Sequence, residues 1–508
     1  MNVGNVCSDA RAARAANVKW RSVSVMIGCS LALLGCDSGQ SGRGPLTAVA
    51  FAATDGQPLT LSPAFSPEVY DYALKCAQGI NTVTLTASLE SAGAVSVIAP
   101  TATSVIAGQP IPLQLNEDQA AVLQTTTADG QLTQYWFRCL PHDFPALAIA
   151  AHPDAGQPTP GWYLLGNSVV APGESGFAMI LDGNGTPVWY SRSPGGALNI
   201  EMLADNTVAY YESTLAQYRV RHLDTGQVSL VQAIGLPTDV HELQQLPNGD
   251  YLLLSYPPLT GIDLNGLGSY GSDSAILDCV IAEIDPTGSL KWQWSASDHI
   301  DPVRESTYPK TVTANGRSMI DVYHCNSIAA DGNGDLLVSA RHMDAVFFIA
   351  KQTGKIVWKL GGAPYSKDGA QIITLLDAAN AAFFRQHDAR FLASGGISLF
   401  DDQTERAGVA RGAEYMLDLA TATARLTMQY PGPTNSLAMG SFRHYDDGSR
   451  VVGWGAPSTG YLAVSEFNAA GANLLDIGFG AQDYSYRGLK APLSSFDLDV
   501  LRRAVGQP

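Results

Sequence analysis

The sequence predicts an all-β fold, and three observations support this prediction. The 508 residues include 50 Gly and 28 Pro, which mark turns, beside 20 Tyr and 8 Trp, which favour strands. The strand-like runs are short and are often separated by Asn-Gly or Asp-Gly, the residue pairs that favour tight hairpin turns. Two kinds of hairpin alternate along most of the chain. No helix-rich or doubly wound α/β pattern competes with this interpretation.

Composition limits the size and the partners of the protein. Hydrophobic residues make up 46% of the chain, enough for a sizeable core, and the length predicts two to four domains or one large repeat architecture with an appendage. The formal net charge of −17 argues against general nucleic-acid binding, which needs a basic surface that displaces counterions from phosphates. A local basic pocket remains compatible with this charge.

The N-terminus has the pattern of an export signal. Four basic residues between positions 11 and 21 precede an apolar run from Ser22 to Leu34. Gly35 and Cys36 follow this run directly, which gives the sequence Leu-Leu-Gly-Cys. This ending resembles a bacterial lipobox, with Cys36 as the lipidated first residue of the mature chain. We therefore expect a signal peptide over residues 1–35, a linker over 36–45, and a periplasmic protein attached by lipid to the inner or the outer membrane. An ordinary secretory signal or an uncleaved anchor is the alternative.

A small β-domain is predicted over residues 46–142. Its strands alternate polar and apolar residues, as in Thr82–Thr86 and Tyr135–Cys139. The segment Leu59–Pro67, followed by Tyr70-Asp-Tyr, resembles the cadherin-like β-sandwich modules of bacterial surface proteins. Such modules act mainly as spacers or binding domains, so no chemistry is expected here.

The cysteines beyond the leader are those of an exported protein. Cys76 and Cys139 lie in the predicted sandwich and are expected to pair, because exported chains meet an oxidising compartment. Cys279 and Cys325 either pair or remain buried thiols. No CxxC and no Cys/His zinc spacing is present in the sequence.

Residues 143–508 are predicted to form a six-bladed β-propeller. The first kind of hairpin begins near Asn199, His241, His324, His387 and Phe442, each followed by a polar turn and an apolar return strand. The second kind carries a turn and a following apolar or Trp residue, as in Asp182–Trp189 or Gln352–Trp358. Two hairpins make a four-stranded sheet, and about six such units suggest six blades. An array of β-sandwiches is the alternative architecture.

Three histidines occupy one position of successive repeats. His241 lies eight residues before Gly249, His387 eight before Gly395, and His324 eight before Gly332. Rotation about a propeller axis relates equivalent positions, so the three imidazoles are expected to meet at one mouth of the central channel. Asn199 and Gly440 stand at this position in other repeats. The histidine is therefore not a structural requirement of every repeat.

Two further residues are expected beside these histidines. Arg341 ends the strand that returns from the His324 turn, and Asn326 shares the strand phase of His324. His342 and Asp388 have the opposite phase and are expected to face away. Three histidines could bind a transition metal, but Arg341 would repel the cation, so no metal is predicted. The cationic, donor-rich cluster favours an oxyanion.

Four motifs in this region resemble those of the bacterial arylsulfate sulfotransferase family. They are His324-Cys-Asn-Ser-Ile, Ser339-Ala-Arg-His, Gly354-Lys-Ile-Val-Trp-Lys-Leu-Gly-Gly and Gln386-His-Asp-Ala-Arg-Phe. The resemblance covers roughly residues 145–490, and the family fold is a six-bladed propeller. Gly453-Trp-Gly and Ser465-Glu-Phe fit the same family. The N-terminal module differs from that of the well-known enzymes.

The resemblance implies sulfuryl transfer from an aryl sulfate ester to a phenol, without a nucleotide sulfate donor or another cofactor. The family's transient sulfohistidine would fall on His387, and its sulfate-holding residues on His241, His324, Asn326 and Arg341. A neutral imidazole is a competent nucleophile, and His241 or His324 could move the phenolic proton. Two alternatives stay open: a non-enzymatic propeller lipoprotein that binds an anion or scaffolds a partner, and a metal-dependent hydrolase.

Overall fold

The computed structural model describes residues 46–89, 94–127, 130–167, 175–314, 316–480 and 483–506. Short strands dominate these residues, so the prediction of an all-β fold is confirmed. All of them belong to one compact unit, Gly44–Pro508. The predicted leader, with Cys36, lies outside the described residues.

Ten strands form two sheets in the N-terminal part of the protein. They are β1 Leu46–Ala53, β2 Pro58–Leu59, β3 Leu61–Ser62, β4 Asp71–Lys75, β5 Ile80–Leu89, β6 Ala94–Ala99, β7 Thr103–Ser104, β8 Ile111–Asn116, β9 Ala120–Thr126 and β10 Leu132–Leu140. One sheet has the order β2-β1-β5-β8 and the other β3-β4-β10-β9-β6-β7. One hydrophobic cluster contains the inward side chains of both sheets, including Phe51, Leu85, Leu123 and Phe137. The alternation of buried and exposed residues in β8 is the pattern of a half-buried strand.

The following strands repeat a four-stranded antiparallel unit. They are β11 Leu147–Ala151, β12 Gly161–Gly166, β13 Phe177–Leu181, β14 Pro187–Arg192, β15 Ala197–Ala204, β16 Thr207–Glu212, β17 Gln217–His222, β18 Val228–Val231, β19 Leu243–Gln245, β20 Tyr251–Ser255, β21 Pro258–Ile262, β22 Ser274–Leu277, β23 Val280–Ile284, β24 Leu290–Ser295, β25 Lys310–Ala314, β26 Arg317–Asp321, β27 Cys325–Ala330, β28 Leu336–Ala340, β29 Ala345–Ala350, β30 Lys355–Gly361, β31 Gln371–Leu376, β32 His387–Phe391, β33 Ile397–Asp401, β34 Arg411–Asp418, β35 Thr423–Pro431, β36 Ser441–His444, β37 Arg450–Gly453, β38 Leu462–Phe467, β39 Asn473–Phe479 and β40 Gly488–Pro492.

The pairing of these strands brings the two ends of the repeat region together. The units are β15-β16-β17-β18, β19-β20-β23-β24, β27-β28-β29-β30, β32-β33-β34-β35 and β36-β37-β38-β39, and β31 joins the third to the fourth. The last strand, β40, pairs with β12 in the sheet β14-β13-β12-β40. The chain therefore closes its first unit with its final strand.

Tight turns set the register of the inner hairpins. Between β19 and β20, the N–H of Leu246 donates to the carbonyl of Asp250 (2.7 Å) and the N–H of Gly249 to that of Leu246 (2.9 Å). Gly249 has a φ of +89°, a conformation that glycine adopts without strain. β20 is buried along its whole length, as expected of a strand covered on both faces.

One insertion departs from the repeat pattern, and the sequence analysis did not foresee it. Four strands between β20 and β27 form a separate sheet of order β21-β22-β26-β25, whereas β23 and β24 belong to the repeat unit. The short helices α1 (Ala296–His299) and α2 (Pro302–Glu305) lie in the same stretch, whereas α3 (Ala378–Ala381) and α4 (Leu498–Ala504) lie elsewhere. Among the described residues, none of the helices has the length and apolar character needed to cross a bilayer.

Candidate active site

The three histidines of the repeat pattern meet in the structure. The ring centroids of His241 and His324 lie 4.8 Å apart, and each lies 6.4 Å from the ring of His387. His387 is almost fully buried, whereas His241 and His324 are partly exposed. The structure therefore brings the three imidazoles together, as the repeat phase predicts, and leaves one of them buried and two partly exposed.

Irregular backbone directs these side chains. His324 has a φ of +50°, which is rare for a residue with a side chain, and precedes β27 at a change of strand register between Cys325 and Ser327. A second register change lies between His387 and Arg390, where Asp388 has a φ of +55°. Such bulges re-aim side chains, and strained backbone is concentrated at functional sites.

Each histidine contacts its own aspartate through Nδ1. The carboxylate oxygens of Asp239, Asp321 and Asp402 lie 2.5, 2.6 and 2.7 Å from the Nδ1 atoms of His241, His324 and His387. Because an ionised carboxylate only accepts hydrogen bonds, it fixes the proton of the imidazole on Nδ1. Nε2 of each neutral ring then carries a free electron pair, which can act as a nucleophile or accept a proton.

Burial shifts the pKa values of two histidines and one aspartate in this cluster. Burial lowers the pKa of His387 well below its usual range, and the positive charge of Arg341 adds to this effect. Burial also lowers the pKa of His324 to about 4, although Asp321 opposes the shift. Burial raises the pKa of Asp402, against the influence of Arg341. His387 is thus a neutral imidazole near pH 7, beside a carboxylate that is a stronger base than usual.

Arg341 adds a buried cation to the cluster. Its backbone N–H donates to the carbonyl of His324 (2.8 Å), which places it at the end of the hairpin where the sequence predicted it. Its Nη2 donates to the carbonyl of Leu437 (3.0 Å) and its Nη1 lies 3.0 Å from His342 Nε2. Nε of Arg341 is buried and has no hydrogen-bond partner among the described residues. A buried, unpaired donor of a charged group is costly unless an anion satisfies it.

Asn326 joins neighbouring strands beside the histidines. Its Nδ2 donates to the carbonyl of Gln386 (2.7 Å), the residue before His387, and its side chain is fully buried. One N–H of the amide is therefore used in this bond between strands, while Oδ1 has no partner in the described part of the chain. Any donor role toward a ligand falls on the second N–H.

Both cysteine pairs discussed in the sequence analysis form disulfides, the one that was predicted and the one that was left open. Cys76 is joined to Cys139 and Cys279 to Cys325. Cys325 stands between His324 and Asn326, so the second disulfide ties the strand that bears two site residues to the residue preceding β23. The hydroxyl of Tyr256 also donates to the carbonyl of Cys325.

Two residues expected to face away are buried next to the histidines or behind them. The ring of His342 lies 4.5 Å from that of His324, because Arg341–Met343 forms a 3-10 turn and does not continue the strand alternation. Asp388 is fully buried among arginines behind the histidines, because the bulge after His387 breaks the two-residue period. Both expectations were wrong for the same reason: regular strand phase ends where the site begins.

A buried network of charges lies behind the histidines. It contains three arginines and three acids, namely Arg390, Arg443, Arg487, Glu201, Glu242 and Asp388. Asp388 accepts from Arg443 Nε (2.7 Å) and Arg390 Nη2 (2.7 Å). Nη2 of Arg487 donates to the carbonyls of His241 (3.0 Å) and Asn326 (3.1 Å). The network therefore holds the backbone of two site residues.

Removing the central arginine of this network should destabilise the protein strongly. Arg487→Met leaves Glu201 and Glu242 with less compensation in a buried setting, so the free energy of unfolding should fall by about 3–5 kcal/mol. Urea denaturation measures this change. Arg317→Met, at an exposed position, is the control and should change stability by less than about 0.5 kcal/mol. Equal stabilities of the two variants would contradict the role assigned to the network.

The cluster also has features of a metal site. Ligand nitrogens of His241, His324 and His387 lie within 4.8 Å of one another, and carboxylates support each ring as in many metal centres. The guanidinium of Arg341, with its unpaired Nε, disfavours a cation in the same space. The residues fit an anion better than a metal ion.

Several residues of the site escaped the sequence analysis. Asp402 follows β33, the strand that returns from the His387 turn, just as Arg341 follows the return strand of the His324 turn. The reasoning that located Arg341 could therefore have located Asp402. Asp239 and Asp321 carry only the weak signal of an aspartate two or three residues before a histidine.

The fold and the site define an all-β repeat protein with a buried histidine–arginine centre suited to an oxyanion. Residues 221–480, just over half of the chain, match the family model described as Arylsulfotransferase (ASST). The chain belongs to the arylsulfotransferase family. Membership implies a sulfotransferase-type enzyme that acts on small aryl sulfates and phenols. No curated protein matches the chain.

Solved structures show only distant likeness. A protein of unknown function from Bacteroides caccae is 12% identical, with a TM-score of 0.39 over 66% of this chain and 99% of that one. A putative 6-phosphogluconolactonase from Bacteroides fragilis is 10% identical, with a TM-score of 0.34 over 66% and 100%. Virginiamycin B lyase from Staphylococcus aureus is 10% identical, with a TM-score of 0.29 over 74% and 93%. None of these values bears on the activity of this chain.

Proposed function

We propose that the protein transfers a sulfuryl group from an aryl sulfate ester to a phenol through a sulfohistidine on His387. One observation carries this proposal. A neutral, buried His387, supported by Asp402, lies with two further histidines beside Arg341, whose Nε is buried and unpaired. This combination supports a nucleophile and an anion-binding cation in one site.

In the first half-reaction, Nε2 of His387 attacks the sulfur of the aryl sulfate and the bond from sulfur to the aryl oxygen breaks. The sulfuryl group is then bonded to Nε2, and the electron pair leaves with the phenolate. Arg341 and the second amide N–H of Asn326 are suited to bind the sulfuryl oxygens, whose charge must be stabilised during in-line transfer. Asp402 accepts the Nδ1 proton of the cationic ring that results.

In the second half-reaction, the oxygen of an acceptor phenol attacks the same sulfur. The bond from sulfur to Nε2 breaks, Asp402 returns the Nδ1 proton, and neutral His387 is restored. His241 and His324 are the proton carriers in reach, and their roles differ. Since the pKa of His324 is about 4, this ring is unprotonated near pH 7 and can take the phenolic proton. His241, held by Asp239, is the candidate donor to the leaving phenolate. The proton that His324 takes from the acceptor then returns to His241, whose ring centroid lies 4.8 Å away, so that both rings are restored.

The same proposal extends to architecture and location. Four-stranded units that close through β40 and β12 support a six-bladed propeller over residues 143–508, and the two N-terminal sheets support a β-sandwich over 46–142. The signal-like leader and the two disulfides support a periplasmic protein held at a membrane through Cys36.

Trapping the intermediate tests the proposal. Incubation with a sulfur-35-labelled aryl sulfate, without acceptor, should release close to one phenol per protein in a burst and leave the label on His387. Mass spectrometry of proteolytic fragments locates the modified residue. Binding of the ester without a burst would instead support the non-enzymatic, anion-binding alternative.

The pH profile provides a second test. His387 must be neutral to attack, and its pKa is lowered by burial, so the neutral form persists on the acid side of pH 6.5. On acidification from pH 8 to pH 6.5 we expect no loss of kcat/KM for the aryl sulfate, and a fall only at lower pH. Chromatographic detection of both phenols avoids interference from indicator colours. An acid limb with a midpoint at or above pH 6.5 would contradict the assignment.

A further inference from the structure

A cavity of about 310 Å³ is lined in part by Leu437, which contacts Arg341 of the candidate active site, and the function proposed above does not use this cavity. Its lining includes Leu437, Pro457, Tyr461, Asp483 and Tyr484. This volume lies at the small end of the range for pockets that hold organic ligands. The loops that form the cavity follow β35, β37 and β39.

Two walls of the cavity are continuous with the site. The carbonyl of Leu437 accepts a hydrogen bond from Nη2 of Arg341 (3.0 Å). The backbone N–H of the preceding residue, Ser436, donates to the carbonyl of Asp402 (2.9 Å), the residue that holds His387. On the other side, Tyr484 is two residues before Tyr486, whose ring lies 5.7 Å from that of His241. A molecule in the cavity would therefore adjoin the groups that surround His387.

The lining suits a neutral aromatic ring. Leu437 and Tyr461 leave 55% and 42% of their surfaces exposed, which is unusual for large apolar side chains that lie together. Asp483 is the only charged residue among the described lining residues, and it accepts a hydrogen bond from Asn167 Nδ2 (3.0 Å). Aromatic rings pack favourably against tyrosine, whereas a carboxylated ring would be repelled by Asp483.

We propose that this cavity, lined by Leu437, Pro457, Tyr461 and Tyr484, binds the aryl ring of the donor and then that of the acceptor. This inference rests on the proposed sulfuryl transfer. Both half-reactions bring a phenolic oxygen to the same side of the sulfur, opposite Nε2 of His387. One ring site can therefore serve both steps, once the first phenol has left. The cavity then selects substrates by the size and charge of the ring.

Filling and trimming the cavity tests this assignment. Leu437→Trp should occupy it, and Tyr461→Ala should remove an aromatic wall. Both side chains are exposed enough for the fold to tolerate the change. The matched control is Leu290→Trp, which adds the same bulk at an exposed position of β24. Equilibrium dialysis of 2-naphthol measures ring binding, and kcat/KM for 2-naphthol relative to phenol measures selection during transfer.

Leu437→Trp should weaken 2-naphthol binding at least about tenfold and lower the naphthol-to-phenol ratio by a similar factor. Tyr461→Ala should weaken binding about threefold to tenfold, and Leu290→Trp should change neither quantity. Equal naphthol binding by wild type, Leu437→Trp and Tyr461→Ala, or no binding by wild type, would overturn the assignment. Absence of transfer by wild type with binding that still depends on Leu437 would overturn the proposed chemistry and leave the ring site supported.

Discussion

Replacing His387 by alanine is expected to lower kcat for sulfuryl transfer by at least about 10³-fold, because the group that forms the covalent bond is lost. The labelled sulfuryl group should then no longer be trapped on the protein. His387 is almost fully buried and contacts Asp402 and the backbone of Arg385, so its loss opens a small cavity. Activity is measured as sulfated acceptor formed from 4-nitrophenyl sulfate.

A second histidine substitution separates the catalytic effect from a general one. His222→Ala removes an imidazole at the end of β17, where Nδ1 lies 3.1 Å from the hydroxyl of Thr207, and should leave kcat within about twofold of wild type. Thermal unfolding of both variants checks that they remain folded. A folded His387→Ala protein that still transfers at a tenth or more of the wild-type rate would exclude a sulfohistidine at this position.

The isosteric change Asp402→Asn is expected to lower kcat by about 10²–10⁴-fold, even though it leaves the nucleophile in place. The carboxylate of Asp402 accepts the Nδ1 proton of His387. An amide would donate there instead and move the ring proton to Nε2, the atom that must attack sulfur. The effect should fall on kcat, with binding of the aryl sulfate nearly unchanged.

A matched substitution tests whether loss of charge alone explains the result. Asp285→Asn removes a carboxylate from a partly exposed hairpin turn and should leave kcat unchanged within about twofold. If Asp402→Asn keeps wild-type kcat while its thermal unfolding is also unchanged, the carboxylate does not set the proton position of His387. Equal losses in the two variants would point to an electrostatic effect on the whole molecule.

The repeat organisation could be predicted because it depends on short-range signals. Gly249 and Gly395 mark hairpin turns that the structure contains, and the apolar return strands that follow them are buried. The sheet β21-β22-β26-β25 was missed, because it pairs β22 in parallel with the distant β26. Such long-range pairing cannot be predicted from turn residues or from the local periodicity of apolar residues.

The site could be predicted in part for a related reason. His241, His324 and His387 share a repeat position. Because the repeats are arranged around a common centre, residues at this position lie close together. Asp388 was misplaced, because a bulge depends on backbone conformation that strand periodicity does not encode. The aspartates that support the histidines carry no common spacing, since each reaches its ring along a different path.

The buried charges behind the site have a consequence for how this repeat protein can evolve. Almost every four-stranded unit supplies a different member: Glu201 and Glu242 come from two neighbouring units, Arg443 from the last, and Arg487 from the closing sheet. Deletion of a unit that supplies a member would leave a buried charge without its partner. Charge complementarity at the centre therefore limits which units the protein can lose or exchange while it keeps its fold.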